Sequence, residues 1–261
     1  MPVRAPDAYA PLAAAYGTLT AAYDYDRWLG VIEELAATAA PAGFTGRRVL
    51  DIACGTGSSF LPLLDRGRYE VTGCDLSGAM LEIAARRAAD HPVQLLEHDM
   101  RELPTLGEFD LVLCLDDSLN HLLEAGEVEQ ALHGIARNLA ADGVAVFDVN
   151  TLGAMRAAFA ADRVVEDDRH IVLWRGQEPK VAPGGLATAL IDVLASEDGV
   201  YVRDRAAIVE RHHPVWEVEA MLRPAGLELV RSYGQTAGAR MHAGAVDEDR
   251  HDKALFVARR G

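Results

Sequence analysis

The stretch Val49-Leu50-Asp51-Ile52-Ala53-Cys54-Gly55-Thr56-Gly57 runs an apolar strand into a loop bearing two glycines, with a carboxylate near the strand end. Glycines there let the backbone approach a ligand that any Cβ would exclude. A dinucleotide site of this shape wants a small residue three positions after Gly57, where its helix packs beneath a pyrophosphate, and Phe60 stands there instead. Asp51 would repel a pyrophosphate and welcome a cation, so the loop suits a sulfonium-bearing amino acid better than a nicotinamide dinucleotide. Three more acidic positions fall in register. Asp75 closes the next apolar run, Asp99-Met100 follows the third, and Leu115 to Asp117 follow the fourth. A carboxylate in the Asp75 position can accept both hydroxyls of a ribose.

The elements that must carry these residues are legible from periodicity. The first forty residues read as helical, with Leu29, Ile32 and Leu35 at helical spacing behind Tyr23, Tyr25 and Trp28, and with Pro41 and Gly43 closing the segment. From Arg47 onward short apolar runs alternate with amphipathic stretches, the pattern of β-α units feeding a parallel sheet. Strands are expected at Val49–Ala53, Tyr69–Asp75, Val93–Glu97, Phe109–Leu115 and Gly143–Val149. Helices are expected from Ser58 to Leu64, after an N-capping Ser77, and from Glu127 to Leu139, the last stopped by a turn at Ala140-Ala141-Asp142-Gly143. From Ile171 to His212 the chain alternates like antiparallel strands, with turn signals at Pro183-Gly184-Gly185 and Asp198-Gly199. A helix between Pro214 and Gly226 and strands at Leu227–Tyr233 and Ala254–Ala258 resume the β-α pattern, and polar, Gly-rich Gly234 to Asp252 reads as a loop.

At Asp51, Gly55 and Gly57 the chain resembles the class I S-adenosylmethionine-dependent methyltransferases, whose first motif is Asp-x-x-x-Gly-x-Gly. The resemblance implies an α/β fold: a Rossmann-like, seven-stranded, mostly parallel sheet with helices on both faces and an antiparallel strand insertion after the fifth strand. It implies one domain over 1–261, with a helical lid (1–45), a cofactor-binding core (46–150), a strand-rich insertion (160–213) and a C-terminal helix and strands (214–261). The cofactor it implies is S-adenosylmethionine, released as S-adenosylhomocysteine. The positions expected to bind it are Tyr16, Asp51, Ala53, Cys54, Gly55, Gly57, Asp75, Leu76, Met80, Asp99, Met100 and Leu115.

Cys114-Leu115-Asp116-Asp117-Ser118-Leu119-Asn120-His121-Leu122 is similar to the post-strand motif of small-molecule methyltransferases that include glycine N-methyltransferases and amino-sugar N,N-dimethyltransferases. That likeness implies a small-molecule acceptor, an amine nitrogen ahead of a hydroxyl. Candidate catalytic groups are His121, His213 and Tyr16, and candidate acceptor contacts are Tyr23, Trp28, Asp117, Asn120 and His121. Methyl transfer is an in-line displacement at an activated carbon, so orientation dominates and no metal is called for. A nicotinamide-dependent oxidoreductase and a non-catalytic cofactor-binding regulator are the rival classes.

The 261 residues carry a formal net charge of -15, a field that repels nucleic-acid phosphates and anionic lipid surfaces. Arg86-Arg87 reads as a solvated helix face rather than a basic patch. Met1 to Gly17 has no apolar core of signal-peptide length, so the cytoplasm is the expected compartment. Cys54, Cys74 and Cys114, each in or beside a strand, read as reduced thiols used as small apolar groups. A homodimer is left open.

Overall fold

A computed structural model describes residues 9–40, 46–197 and 200–261. The expected stops at Pro41 and Gly43 and the expected Asp198-Gly199 turn lie outside the described residues. Five parallel strands form the centre of the main sheet: β1 (Arg48–Ile52), β2 (Glu70–Asp75), β3 (Val93–Glu97), β4 (Phe109–Cys114) and β5 (Leu139–Asn150). A second, antiparallel sheet follows in the chain, made of β6 (Asp162–Glu166), β7 (His170–Gly176), β8 (Leu186–Glu197) and β9 (Val200–Arg211). The chain then returns to the main sheet with β10 (Leu227–Thr236), β11 (Arg240–Ala243) and β12 (Lys253–Arg260), in the order β11-β10-β12-β5-β4-β1-β2-β3.

Period-two alternation sends successive side chains to opposite faces of this sheet. Leu50, Ile52, Val112, Cys114, Ala145, Phe147 and Phe256 enter one core, and Val49, Leu111, Leu113, Val144, Val146, Leu255 and Val257 enter the other. Seven α-helices flank the sheets: α1 (Tyr16–Leu19), α2 (Tyr25–Ala39), α3 (Leu61–Asp65), α4 (Gly78–Arg87), α5 (Glu127–Asn138), α6 (Leu152–Ala160) and α7 (Val215–Leu222). Helix α5 buries Val128, Ala131, Leu132 and Ile135 on the first face, whereas α2 buries Trp28, Leu29, Ile32 and Ala36 on the second. Ser77 caps α4 by accepting from the Met80 amide.

Three expectations change. The main sheet has eight strands, not seven, because β11 pairs antiparallel with β10 inside the stretch read as a loop. Its residues are exposed or half-buried at the sheet edge, so no apolar alternation marks them. Ala140–Gly143 is not a turn but part of β5, and the register shifts there, Phe109 pairing with Leu139 and Leu111 with Val144. The expected Ser58–Leu64 helix shortens to α3, since Gly57 with φ +83° and the turn behind it take up the first residues. Helix α6, capped by Thr151, was not anticipated; it buries Met155 and Phe159 against Val172, Trp174 and Ile191 of the insertion.

Strand order reverses between β1 and β4, and the crevice beyond their carboxyl ends is where ligands bind in such sheets. The antiparallel insertion is tied to that crevice by Asn120. Its fully buried amide donates to the Arg211 carbonyl of β9 at 2.8 Å and accepts from the Asn150 amide of β5 at 2.9 Å. Asn120→Ala orphans both backbone groups and should lower stability by about 2–4 kcal/mol, read as the urea midpoint shift at constant slope.

Candidate active site

The crevice holds a cavity of about 500 Å³, large enough for a nucleoside-sized ligand with an acceptor beside it. One end is built from the loops after β1, β2 and β3. Ala53 and Gly55 both take left-handed backbone, φ +56° and +53°, and a Cβ on Gly55 would meet nothing within 4 Å. The space it leaves is the cavity. Gly57 serves differently, because a Cβ there would strike the Phe60 ring at 2.6 Å. Its smallness accommodates the aromatic residue that stands where a dinucleotide fold wants another small one.

Asp75 at the end of β2 organises this loop. One carboxylate oxygen accepts the Gly55 amide and the other the Ser77 amide, both at 2.8 Å. Burial pushes its pKa up, and the same backbone donors pull it back. Asp75 lines the cavity wall. Arg87, placed on a solvated face from sequence, in fact reaches over the loop, its Nη1 donating to the Thr56 carbonyl, Thr56 Oγ1 and Ser58 Oγ at 2.9–3.0 Å. Asp99 and Met100 line the far end; Asp99 is gripped by Arg101, which also donates to Glu127 at 2.8 Å. Burial alone would raise the Asp99 pKa, but the Arg101 guanidinium and amide hold it below the usual range.

Asp51 does not present an open anion to the cavity. It is 1% exposed, its carboxylate accepts the Ser59 hydroxyl at 2.5 Å, and burial raises its pKa to about 7. Cys54 and Leu115 are likewise buried behind the wall, while Leu76 and Met80 line it.

The other end of the cavity is walled by Tyr9, Tyr16, Asp116, Ser118, His121 and the edge of β9 at Ala207–Val209. His121 Nε2 and Tyr9 Oη share a 2.7 Å hydrogen bond, with the rings edge-to-face at 5.3 Å. Burial lowers the His121 pKa against the pull of nearby carboxylates. Burial raises Tyr16 well above the ordinary phenol range, which makes it a hydrogen-bond donor and not a base. Of the remaining sequence candidates, His213 is off the wall, bonded to the Leu122 carbonyl at 3.0 Å and depressed to about 4 by burial. Trp28 is fully buried in the core, Tyr23 packs on Tyr25 and Trp28, and Asn120 is spent on backbone. Tyr25 bonds to a wall residue, donating to Asp116 at 2.8 Å.

Behind this wall sits a cluster that no local motif announced. Asp148 on β5 is fully buried and accepts the amides of Asp116 and Asp117 at 2.9 and 2.7 Å. Those two residues hold left-handed backbone, φ +62° and +56°. Lys253 on β12 places Nζ 2.5 Å from Asp117, 3.4 Å from Asp148 and 3.5 Å from Asp116. Burial opposes the charge on Lys253, yet the three carboxylates hold it protonated well above the ordinary lysine value. Asp117, His121 and Glu210 each bring one donor atom within 4.8 Å of the others, a spacing that can gather a metal. Lys253 already supplies a cation on Asp117 there.

A methyltransferase-domain family model matches residues 49–143. The methyltransferase-family protein YqeM of Bacillus subtilis (strain 168) is 31% identical over 226 residues, 85% of this chain and 87% of its own length. The chain belongs to the class I S-adenosylmethionine-dependent methyltransferases. A dTDP-3-amino-3,6-dideoxy-alpha-D-glucopyranose N,N-dimethyltransferase of Streptomyces fradiae is 39% identical over 101 residues, 38% of each chain. The solved S-adenosylmethionine-dependent methyltransferase of Clostridium acetobutylicum shares the fold, with a TM-score of 0.77 at 21% identity over 97% of this chain and 99% of that one. The cofactor of this methyltransferase is S-adenosylmethionine. No helix among the described residues is long and apolar enough to cross a membrane.

Lys253→Met strands buried carboxylates without their counter-charge and should cost about 3–5 kcal/mol at pH 8. Acids whose folded pKa exceeds the unfolded one bind protons on folding, so stability falls as pH rises through that interval. Asp117 and Asp148 are raised by burial and restrained by Lys253, so the variant's deficit should shrink toward pH 5. Urea unfolding at the two pH values checks the sign.

Proposed function

We propose that this methyltransferase transfers a methyl group to the nitrogen of a small amine. The observation that carries the reading is the make-up of the acceptor end: Asp116 and His121 stand on its wall, and the nearby Lys253 is not on that wall but paired with Asp116, Asp117 and Asp148. Such a wall attracts an ammonium and leaves a phosphate or carboxylate acceptor without a partner. The amino-sugar dimethyltransferase relative acts on an acceptor of that class.

The cofactor end fits the group it must hold. The space left by the missing Gly55 Cβ would admit backbone contact, Asp75 would accept from the ribose hydroxyls, and Asp99 with the Met100 amide would lie along the adenine edge. When bound, S-adenosylmethionine supplies a methyl carbon activated by its sulfonium. The chain's own residues then orient and deprotonate. Tyr16 and Tyr9 line the acceptor end from the amino-terminal segment. His121, on the wall of the acceptor end, takes the proton that an ammonium must lose before its lone pair can attack. Neither His213 nor Trp28 takes part, since neither reaches the cavity.

Release of S-adenosylhomocysteine should be seen with primary or secondary alkylamines and not with phenols of matched size; turnover of phenols alone would overturn the amine reading. Asp75→Ala should weaken S-adenosylmethionine binding more than tenfold by calorimetry, because a charged acceptor worth about 1.5–3 kcal/mol is lost. His121→Ala should lower kcat about a hundredfold and leave cofactor affinity unchanged.

A further inference from the structure

Strand β9 ends the inserted sheet, with β8 on one side and, among the described residues, no strand on the other. The register says which of its backbone groups face the open side. Leu186 of β8 stands opposite Arg211, Thr188 opposite Val209 and Leu190 opposite Ala207. One step beyond Arg211, the His212 amide donates to the Gly185 carbonyl at 2.9 Å, while the Thr188 carbonyl is turned away from β9 to the Gln177 amide. Hydrogen-bonded and open pairs alternate along an antiparallel ladder. The even-numbered residues of β9 therefore bond to β8, and Arg211, Val209 and Ala207 turn their amides and carbonyls to the free edge.

Two of these three are taken up by the turn after β4. Asn120 donates to the Arg211 carbonyl at 2.8 Å. The next residue, His121, bonds through its ring to the Val209 backbone. Ala207 has no such partner among the described residues, and it stands on the cavity wall with Val209 and His121. Its amide and carbonyl form one open rung of a β-ladder within the acceptor end. The edge continues past it, because β9 runs back from Ala207 to Val200 with residues 200–205 all exposed. An extended chain that begins beside His121 can leave the cavity along that strand.

We propose that the acceptor is the α-amine of a peptide whose first residues add a short antiparallel strand to β9 and pair with Ala207. The inference rests on the amine reading above and names the class of amine. Successive edge-facing residues of a strand are about 7 Å apart. An amine held at His121, level with Val209, therefore brings the second or third peptide residue opposite Ala207. Running from Val209 toward Ala207 makes the added chain antiparallel to β9, so one peptide residue donates to the Ala207 carbonyl and accepts from the Ala207 amide. Main-chain bonds of this kind supply affinity. A plain alkylamine offers the edge neither donor nor acceptor.

The test uses trialanine amide, with its free α-amine, against propan-2-amine. Wild-type kcat/KM should favour the peptide by about tenfold or more, for two main-chain bonds gained. Ester analogues, in which the N–H of the second or of the third residue is replaced by oxygen, should differ: one loses about fivefold in kcat/KM and the other little, because alternate residues face the edge. In the S-adenosylhomocysteine complex of the full chain, added trialanine amide should slow hydrogen exchange of the Ala207 amide, followed by NMR, by about tenfold. Ala207→Pro removes that amide without breaking a bond to β8 and should shrink the preference for the peptide, at unchanged thermal midpoint. If that variant does not fold, the ester series on the wild type decides. Equal turnover of peptide and alkylamine, ester analogues that behave alike, or Ala207 exchange indifferent to the peptide overturns the proposal and leaves the amine reading intact. So does a wild type that methylates an aminodeoxyhexose glycoside and not the peptide. A wild type that methylates phenols and no amine overturns both.

Discussion

One buried carboxylate fixes the geometry of the catalytic end. Asp148 accepts the amides of two consecutive residues that both hold left-handed backbone, a conformation that costs non-glycine residues of order 1–3 kcal/mol each. The strain persists because Lys253 completes the arrangement from the neighbouring strand, with Lys253 paired to Asn150 in the β12–β5 register. The turn that follows can then place Ser118 and His121 on the cavity wall and bury Asn120 against the insertion. Remove the clamp and the chain after β4 has no reason to leave the strand in that direction.

The two ends of the cavity use carboxylates in opposite ways. At the cofactor end Asp75 accepts backbone amides and shapes a loop whose own side chains are nearly absent, so the ligand meets main chain. At the acceptor end three aspartates crowd around one lysine behind the wall. Among the described residues, Arg101 is the one lysine or arginine on the cavity wall. Arg101 and Arg87, the cations nearest the cofactor, are both turned to protein acceptors.

The insertion is more than a cover. Its inward face packs Val172, Trp174 and Ile191 against α6, while the end of β9 supplies Ala207–Val209 to the wall and Glu210 behind it. The same strand contributes the Arg211 carbonyl that Asn120 holds. This cavity wall is thereby coupled to the packing of a sheet that, among the described residues, shares no backbone pairing with the main sheet.

The amino-acid sequence by itself determined the α/β alternation, the five parallel strands and the glycine loop, because period-two and period-3.6 patterns and Gly at left-handed positions are local consequences of backbone geometry. Asp75, Asp99 and His121 were legible for the same reason, each standing just past the end of an apolar run. The edge strand β11 was not, since exposure removes the alternation that marks a strand. Nor were Lys253, Asp148 and Glu210, which lie on three strands as much as 105 positions apart and meet only when β12 inserts beside β5 and the antiparallel sheet folds back over His121. The unmasking of Asp51 as a buried, Ser59-bonded acid, and of His213 as a backbone partner, also needed the tertiary structure. Residue type sets what a carboxyl or an imidazole can do, and burial with its neighbours, which no local pattern encodes, decides which of them holds a proton.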